Sequence, residues 1–253
     1  MKKFAVFCPV KNETTFSKIW FKYYSQFLSP EDIYFLDFGS DVLPDYCQVK
    51  STDKNILDAI ELFEEIKKFH KELLDRYEYV IPTDVDEIVY HKSGLDNFIN
   101  SLDKDFVKCA GYELIHLPEK EDDFKPNETI FSQRKYWYRS PNHYDKTLIT
   151  KKPLSWTIGL HNCHNHTEVE NDLYLIHLHR FDYKTCIERH LKWASMNWSQ
   201  ETVKRNFNWH YREKELEKLN QWYYKTDGSP TQIPEDILSE LNKIILITAN
   251  KKL

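Results

Sequence analysis

Two short, unbroken apolar runs at residues 4–10 and 33–36, and a third at 77–82 broken only by Glu78, are separated by two stretches whose apolar residues recur every three or four positions. A run that is apolar at every position, rather than at every second one, fits a strand covered on both faces, as in a parallel sheet with helices on each side. The first stripe, Phe16, Ile19, Trp20, Tyr23, Tyr24 and Phe27, predicts a helix stopped by Ser29-Pro30. The second, Ile56, Ile60, Phe63, Ile66, Phe69 and Leu73, predicts a helix over residues 53–74. Strand, helix, strand, helix, strand is the opening of an α/β fold.

Past residue 105 the pattern predicts strands without long helices between them, at 106–116, 130–138, 147–150, 156–160 and 173–179, so the sheet is expected to become mixed. From Tyr183 it turns helical, with spans expected at 183–196, 200–219 and 234–248 and a break at Asp227-Gly228-Ser229-Pro230. Trp193, Trp198, Trp209 and Trp222 make this tail strongly aromatic. Residues 183–253 therefore read as a helical extension packed on a body formed by residues 1–182.

Composition removes several function classes. With 253 residues the chain can bury a core without disulfides, and its five cysteines are scattered with no C-x-x-C, the usage of reduced thiols in a cytoplasmic protein. A net charge of −5 argues against nucleic acid as a partner held by bulk electrostatics. No apolar stretch approaches the ~20 residues of a membrane span, which leaves peripheral membrane contact. The five glycines, at positions 39, 94, 111, 159 and 228, are too few and too scattered to write either G-x-G-x-x-G or G-x-x-x-x-G-K-[ST].

The chemistry is concentrated at Tyr79-Val80-Ile81-Pro82-Thr83-Asp84-Val85-Asp86-Glu87, where a hydrophobic strand runs into an acidic cluster. Carboxylates two apart in extended backbone point to one side, so Asp84 and Asp86 can grip one divalent cation. Turn formation and capping of a following short helix is the competing reading. Asp103-Lys104-Asp105 is a second copy in a polar connection and reads as solvated surface, whereas the first lies at the carboxyl end of a buried strand, where open α/β sheets place ligands.

In order and placement, Lys11-Asn12-Glu13 after the first strand, Asp37-Phe38-Gly39-Ser40 after the second and Asp84-Val85-Asp86-Glu87 after the third resemble the GT-A glycosyltransferases of the family 2-like group. The resemblance covers residues 3–90 and continues more weakly through Lys146-Thr147-Leu148-Ile149, His161, and Leu175-Ile176-His177 with Asp182. It implies a GT-A, Rossmann-like mixed sheet flanked by helices, and transfer of a sugar from a UDP-, GDP- or dTDP-sugar to a glycan, lipid-linked or glycoprotein acceptor. It further implies Mn²⁺ or Mg²⁺ on Asp84 and Asp86 with His177 as a third ligand; by its spacing to Asp182, His177 matches better than His179. A cation there would stabilise the charge of a departing diphosphate. The nucleotide would lie against Pro9, Val10, Asn12, Glu13, Asp37, Asp84, Lys146 and His161, with Asp37 on the base or ribose.

His161, Cys163, His164 and His166, followed by His177 and His179, suggest zinc by composition, but the spacing matches no closed structural site. A transfer that inverts the anomeric centre needs a carboxylate base; Glu113, Asp145 and Glu168 are the candidates, and the sequence does not choose among them. Lys146, Arg134, Arg139 and Arg180 are candidate phosphate partners. Two other functions stay open: a sugar nucleotidyltransferase, although the Gly-rich basic loop usual after strand one is absent, and a non-catalytic carbohydrate-binding protein stacking sugars on Trp137, Trp156 and Trp193.

Overall fold

The computed structural model describes residues 1–52, 54, 56–163, 168–226 and 228–244. Strand β1 (Lys2–Val10) leads through helix α1 (Thr15–Tyr24) to β2 (Ile33–Asp37), then β3 (Gln48–Ser51), α2 (Ala59–Leu74) and β4 (Tyr77–Pro82). β3, β2, β1 and β4 lie side by side in that order, all parallel. The chain leaves β1 to one side for β2 and returns on the other for β4, so a crevice opens where the carboxyl ends of β1 and β4 adjoin.

The sheet continues in mixed sense through β5 (Glu87–His91), β6 (Phe106–Ile115), β7 (Tyr136–Arg139), β8 (Thr147–Thr150) and β9 (Val169–Arg180), with α3 (Leu95–Asn100), α4 (Ile130–Gln133) and α5 (Pro141–Tyr144) in the connections. β8 runs antiparallel to both β4 and β6 and joins the two halves. β9 runs parallel to β6 and antiparallel to β5. This is the mixed α/β sheet flanked by helices expected from the sequence. The C-terminal segment contributes α6 (Tyr183–Ser195), α7 (Gln200–Lys204), α8 (Leu216–Tyr224), β10 (Thr231–Gln232) and α9 (Glu235–Ile244), and β10 pairs with β7 as the far strand of the sheet.

Several boundaries differ from expectation for local reasons. Asp58 caps α2 by accepting from the Ile60 and Glu61 amides at 2.9 and 3.0 Å, so the helix starts there and Ile56 stays exposed outside it. Thr129 caps α4 and splits the strand expected over 130–138. Ser199 caps α7, which ends at Lys204, so the helix expected over 200–219 is two helices with a 3₁₀ turn at Trp209–Arg212 between them. Residues 156–160 form a bridge and a 3₁₀ turn instead of a strand. The end of the helix expected over 234–248 lies outside the described residues. So do His164 and His166.

Helix α1 secures the strand that follows the acidic segment. Trp20 donates to Thr83 Oγ1 at 2.8 Å, Tyr23 OH donates to the Val89 carbonyl at 2.6 Å, and Tyr24 OH accepts from the Val89 amide at 3.0 Å. The two tyrosine bonds satisfy the amide and carbonyl of Val89 in β5. Cys8, Cys47, Cys109 and Cys186 form no disulfide among the described residues. Among the described residues no helix is long and apolar enough to cross a membrane.

His70, on α2, is buried edge-on to Trp156 and 2.6 Å from Thr150 Oγ1. Burial pushes its pKa from 6.5 to about 3. The unfolded chain therefore takes up a proton that the fold refuses, and this contribution to stability, complete above pH 6.5, drains away as pH falls. His70→Gln keeps a polar group for Thr150 without the titration. Urea unfolding should show the variant losing about 2 kcal/mol less than the parent between neutral pH and about pH 5. Equal losses would assign the acid sensitivity elsewhere.

Candidate active site

The crevice at the ends of β1 and β4 opens into a cavity of about 850 Å³. Pro9, Val10 and Glu13 line one wall, Asp84 to Glu87 the floor, Tyr144, Lys146 and His161 a second wall, and Arg189, Tyr211 and Trp222 of the C-terminal segment close over it.

The acidic segment is a turn, not an extended strand end. The Glu87 amide donates to the Asp84 carbonyl at 3.0 Å, and Glu87 Oε2 accepts from the Asp84 amide at 3.0 Å. Both Asp84 and Asp86 line the cavity, but their carboxylates hold different partners. Asp84 stays partly exposed and pairs with Lys146 Nζ at 2.9 Å. Asp86 is buried; its Oδ2 accepts from Arg189 Nη1 and lies 3.0 Å from His179 Nδ1 and 3.3 Å from His177 Nε2. Burial alone would raise the Asp86 pKa, but Arg189 and His177 outweigh it and hold the carboxyl well below the usual range.

β9 delivers the two histidines through its pairing with β5, which sets His177 opposite Glu87, and with β6, which sets His177 opposite Glu113. Glu113 is fully buried and lies 2.8 Å from His177 Nδ1; among the described residues its other oxygen has no hydrogen-bond partner. Burial would push His177 down, yet Glu113 and Asp86 hold its imidazole well above the ordinary value. Glu113 does not line the cavity and reaches it only through His177.

The remaining expected residues divide clearly. Lys146 is buried and bridges Asp84 to Glu87, 2.6 Å away. His161 lines the cavity with Nδ1 2.5 Å from the His143 carbonyl, and burial, with Lys146 nearby, lowers it to about 4. Glu13 pairs with Arg189 Nε at 2.9 Å. Asn12, at φ 53°, holds the loop after β1 to Ser40 and Asp41 rather than facing the cavity. Asp37 is buried and its carboxylate accepts from the Gly39 and Ser40 amides at 3.0 and 3.2 Å, which closes the turn after β2 and leaves Asp37 off the cavity wall. Asp145 pairs with Arg139 at 2.8 Å and accepts from the Gly111 amide at 2.8 Å, and Glu168 is exposed; neither lines the cavity. Arg134 is buried against the Phe181 and Asp122 carbonyls, so of the proposed phosphate partners only Lys146 and Arg180 reach the cavity. Trp137 and Trp156 are core residues; Trp193 lines the cavity.

Sequence reasoning missed Arg189, Glu87 and Tyr144. Arg189 carries a signal in retrospect: Cys186, Arg189 and Trp193 stand at i, i+3 and i+7, so a charged residue falls on a face otherwise apolar.

Asp86, His177 and His179 offer donor atoms all within 4.8 Å of one another, and one carboxylate with imidazole nitrogens suits a divalent cation. Asp84 falls outside that group.

No protein-family model matches the chain. No curated protein matches it either. Among solved structures, that titled "Crystal structure of S. aureus TarS 1-349" aligns over 87% of this chain and 77% of that one, at 11% identity and a TM-score of 0.37. That likeness is too remote to bear on the site.

Proposed function

We propose that this chain is a metal-dependent glycosyltransferase that moves a sugar from a nucleotide-sugar donor to a glycan or glycoconjugate acceptor. The observation that carries the reading is the meeting, at the switch point of the parallel sheet, of Asp86 and His177 on the floor of a cavity large enough for a sugar nucleotide. Asp86 and His177 Nε2 would hold the cation, with Glu113 fixing the His177 ring from behind. When bound, Mn²⁺ or Mg²⁺ supplies positive charge for the diphosphate. Pro9 and Val10 would form the wall against the nucleotide. Lys146 holds Asp84 and Glu87, so its own charge is already committed to them, while Trp193 and Trp222 offer aromatic faces to the acceptor side.

Thermal unfolding against a panel of nucleoside diphosphates, each with and without Mn²⁺, tests this. One nucleotide at a hundredfold excess over its Kd should raise the midpoint by about 5–10 °C, only with Mn²⁺. The rise should disappear in Asp86→Asn. A folded protein whose midpoint no nucleotide moves would sink the proposal.

A further inference from the structure

Beside Asp86, where His179 lines the cavity and His190 stands behind it, two imidazoles face each other in an arrangement that ordinary hydrogen bonding does not satisfy. His190 Nδ1 lies 3.1 Å from the His210 carbonyl, an oxygen with no proton to give, so Nδ1 carries the hydrogen and Nε2 a lone pair. His179 Nδ1 lies 3.0 Å from Asp86 Oδ2 and 3.3 Å from Arg189 Nη1. The nearer carboxylate accepts from it, so this Nδ1 also carries its hydrogen and its Nε2 a lone pair. The two Nε2 atoms are 2.8 Å apart. Two lone pairs at that separation repel unless a positive centre lies between them.

A proton is one such centre, but both rings are fully buried. The third neighbour is a sulfur atom. Cys186 stands one helical turn before His190 on α6, and its Sγ lies with both imidazoles in a group whose donor atoms are all within 4.8 Å of one another. Each histidine has its outer nitrogen held by a carboxylate or a backbone carbonyl, as metal-ligating histidines do.

We propose that His179 Nε2, His190 Nε2 and Cys186 Sγ form a zinc-class metal site, separate from the cation position at Asp86 and His177. Two nitrogens and a thiolate are the soft donor set that selects zinc over magnesium or manganese. The Nε2 pair needs to open by about half an ångström to reach the spacing of two imidazoles on a tetrahedral ion. On binding, the Cys186 thiol releases its proton to solvent and ligates as thiolate. The ion ties β9 to α6 and, through the His210 carbonyl, to the turn at Trp209–Arg212 that closes the cavity. It also locks the tautomer that aims His179 Nδ1–H at Asp86.

The site does not depend on nucleotide binding, so its test needs no nucleotide. Protein purified without chelators should carry about one zinc per chain by elemental analysis. Exchange for Co²⁺ should give a near-ultraviolet thiolate-to-cobalt band that Cys186→Ser abolishes, and His190→Gln should lose the metal. The wild-type cobalt spectrum is decisive alone if the variants fail to fold. Folded wild-type protein with neither zinc nor a thiolate band under added Co²⁺, or a band that survives Cys186→Ser, would overturn the proposal.

Discussion

Lys146→Met is expected to destabilise the fold by about 3–5 kcal/mol, because it removes one partner of a buried ion pair and leaves the other. Lys146 and Glu87 both have side chains 1% exposed, and their charged atoms are 2.6 Å apart. Asp84, the other partner, is 41% exposed and recovers water when the lysine is gone, so little of the loss comes from it. Glu87 has no such recourse. Burial already raises its pKa against the pull of Lys146, and without the lysine the carboxyl must protonate to stay in place. A carboxyl whose folded pKa is raised costs nothing below its unfolded value of 4.5 and costs progressively more above it. The deficit of Lys146→Met should therefore be small near pH 4.5 and grow towards neutral pH in urea unfolding. Adding Glu87→Gln should recover most of it, since both halves of the pair are then gone. A deficit independent of pH would mean that lost packing, not the orphaned carboxylate, is responsible.

Gly111→Ala should lose about 3 kcal/mol, at the upper end for overpacking, because the new methyl meets backbone rather than a movable side chain. A Cβ at position 111 would stand 2.2 Å from the Tyr144 carbonyl carbon and 2.3 Å from its oxygen. The segment around Gly111 has no room to yield. Its amide donates to Asp145 at 2.8 Å, and its carbonyl accepts from Arg139 and the Ser140 amide at 3.0 and 3.2 Å. Relief therefore requires α5 to lift from β6, carrying the Tyr144 ring away from His177, whose centroid lies 4.7 Å from it. The variant should show both a lower unfolding midpoint and weaker nucleotide binding. A midpoint within about 1 °C of the parent would show that the loop yields cheaply.

The parallel half of the sheet was legible because β1, β2 and β4 are largely buried on both faces and leave apolar runs, that of β4 broken only by Glu78. β3 was not, since Gln48, Lys50 and Ser51 are exposed at the sheet edge. β5 was hidden because it begins on Glu87, the last residue of the acidic cluster, which reads as turn or cap. At the site, Asp86 was singled out by its place after a buried strand and His177 by the resemblance through its spacing to Asp182, and both line the cavity. Arg189 was passed over because an arginine on a helix is ordinarily solvated, and its place on an otherwise apolar face does not say that the fold brings it to Asp86. The same limit hid the fate of Asp145, whose partner Arg139 no spacing rule pairs with it, whereas the turn that Asp37 closes by accepting from the Gly39 amide is the local alternative to its nucleotide role.

The placement of β9 between β5 and β6 bears on how the molecule folds. The register that sets His177 against Glu87 and Glu113 closes long loops, and loop closure must precede any gain from those contacts. Such non-local pairing raises contact order and slows folding relative to helical chains of similar size. Until β9 docks, Asp86 and Glu113 lack their histidines and Arg189 lacks its carboxylate, so burying any of them early is unfavourable. Assembly of the charged centre is therefore tied to the docking of β9.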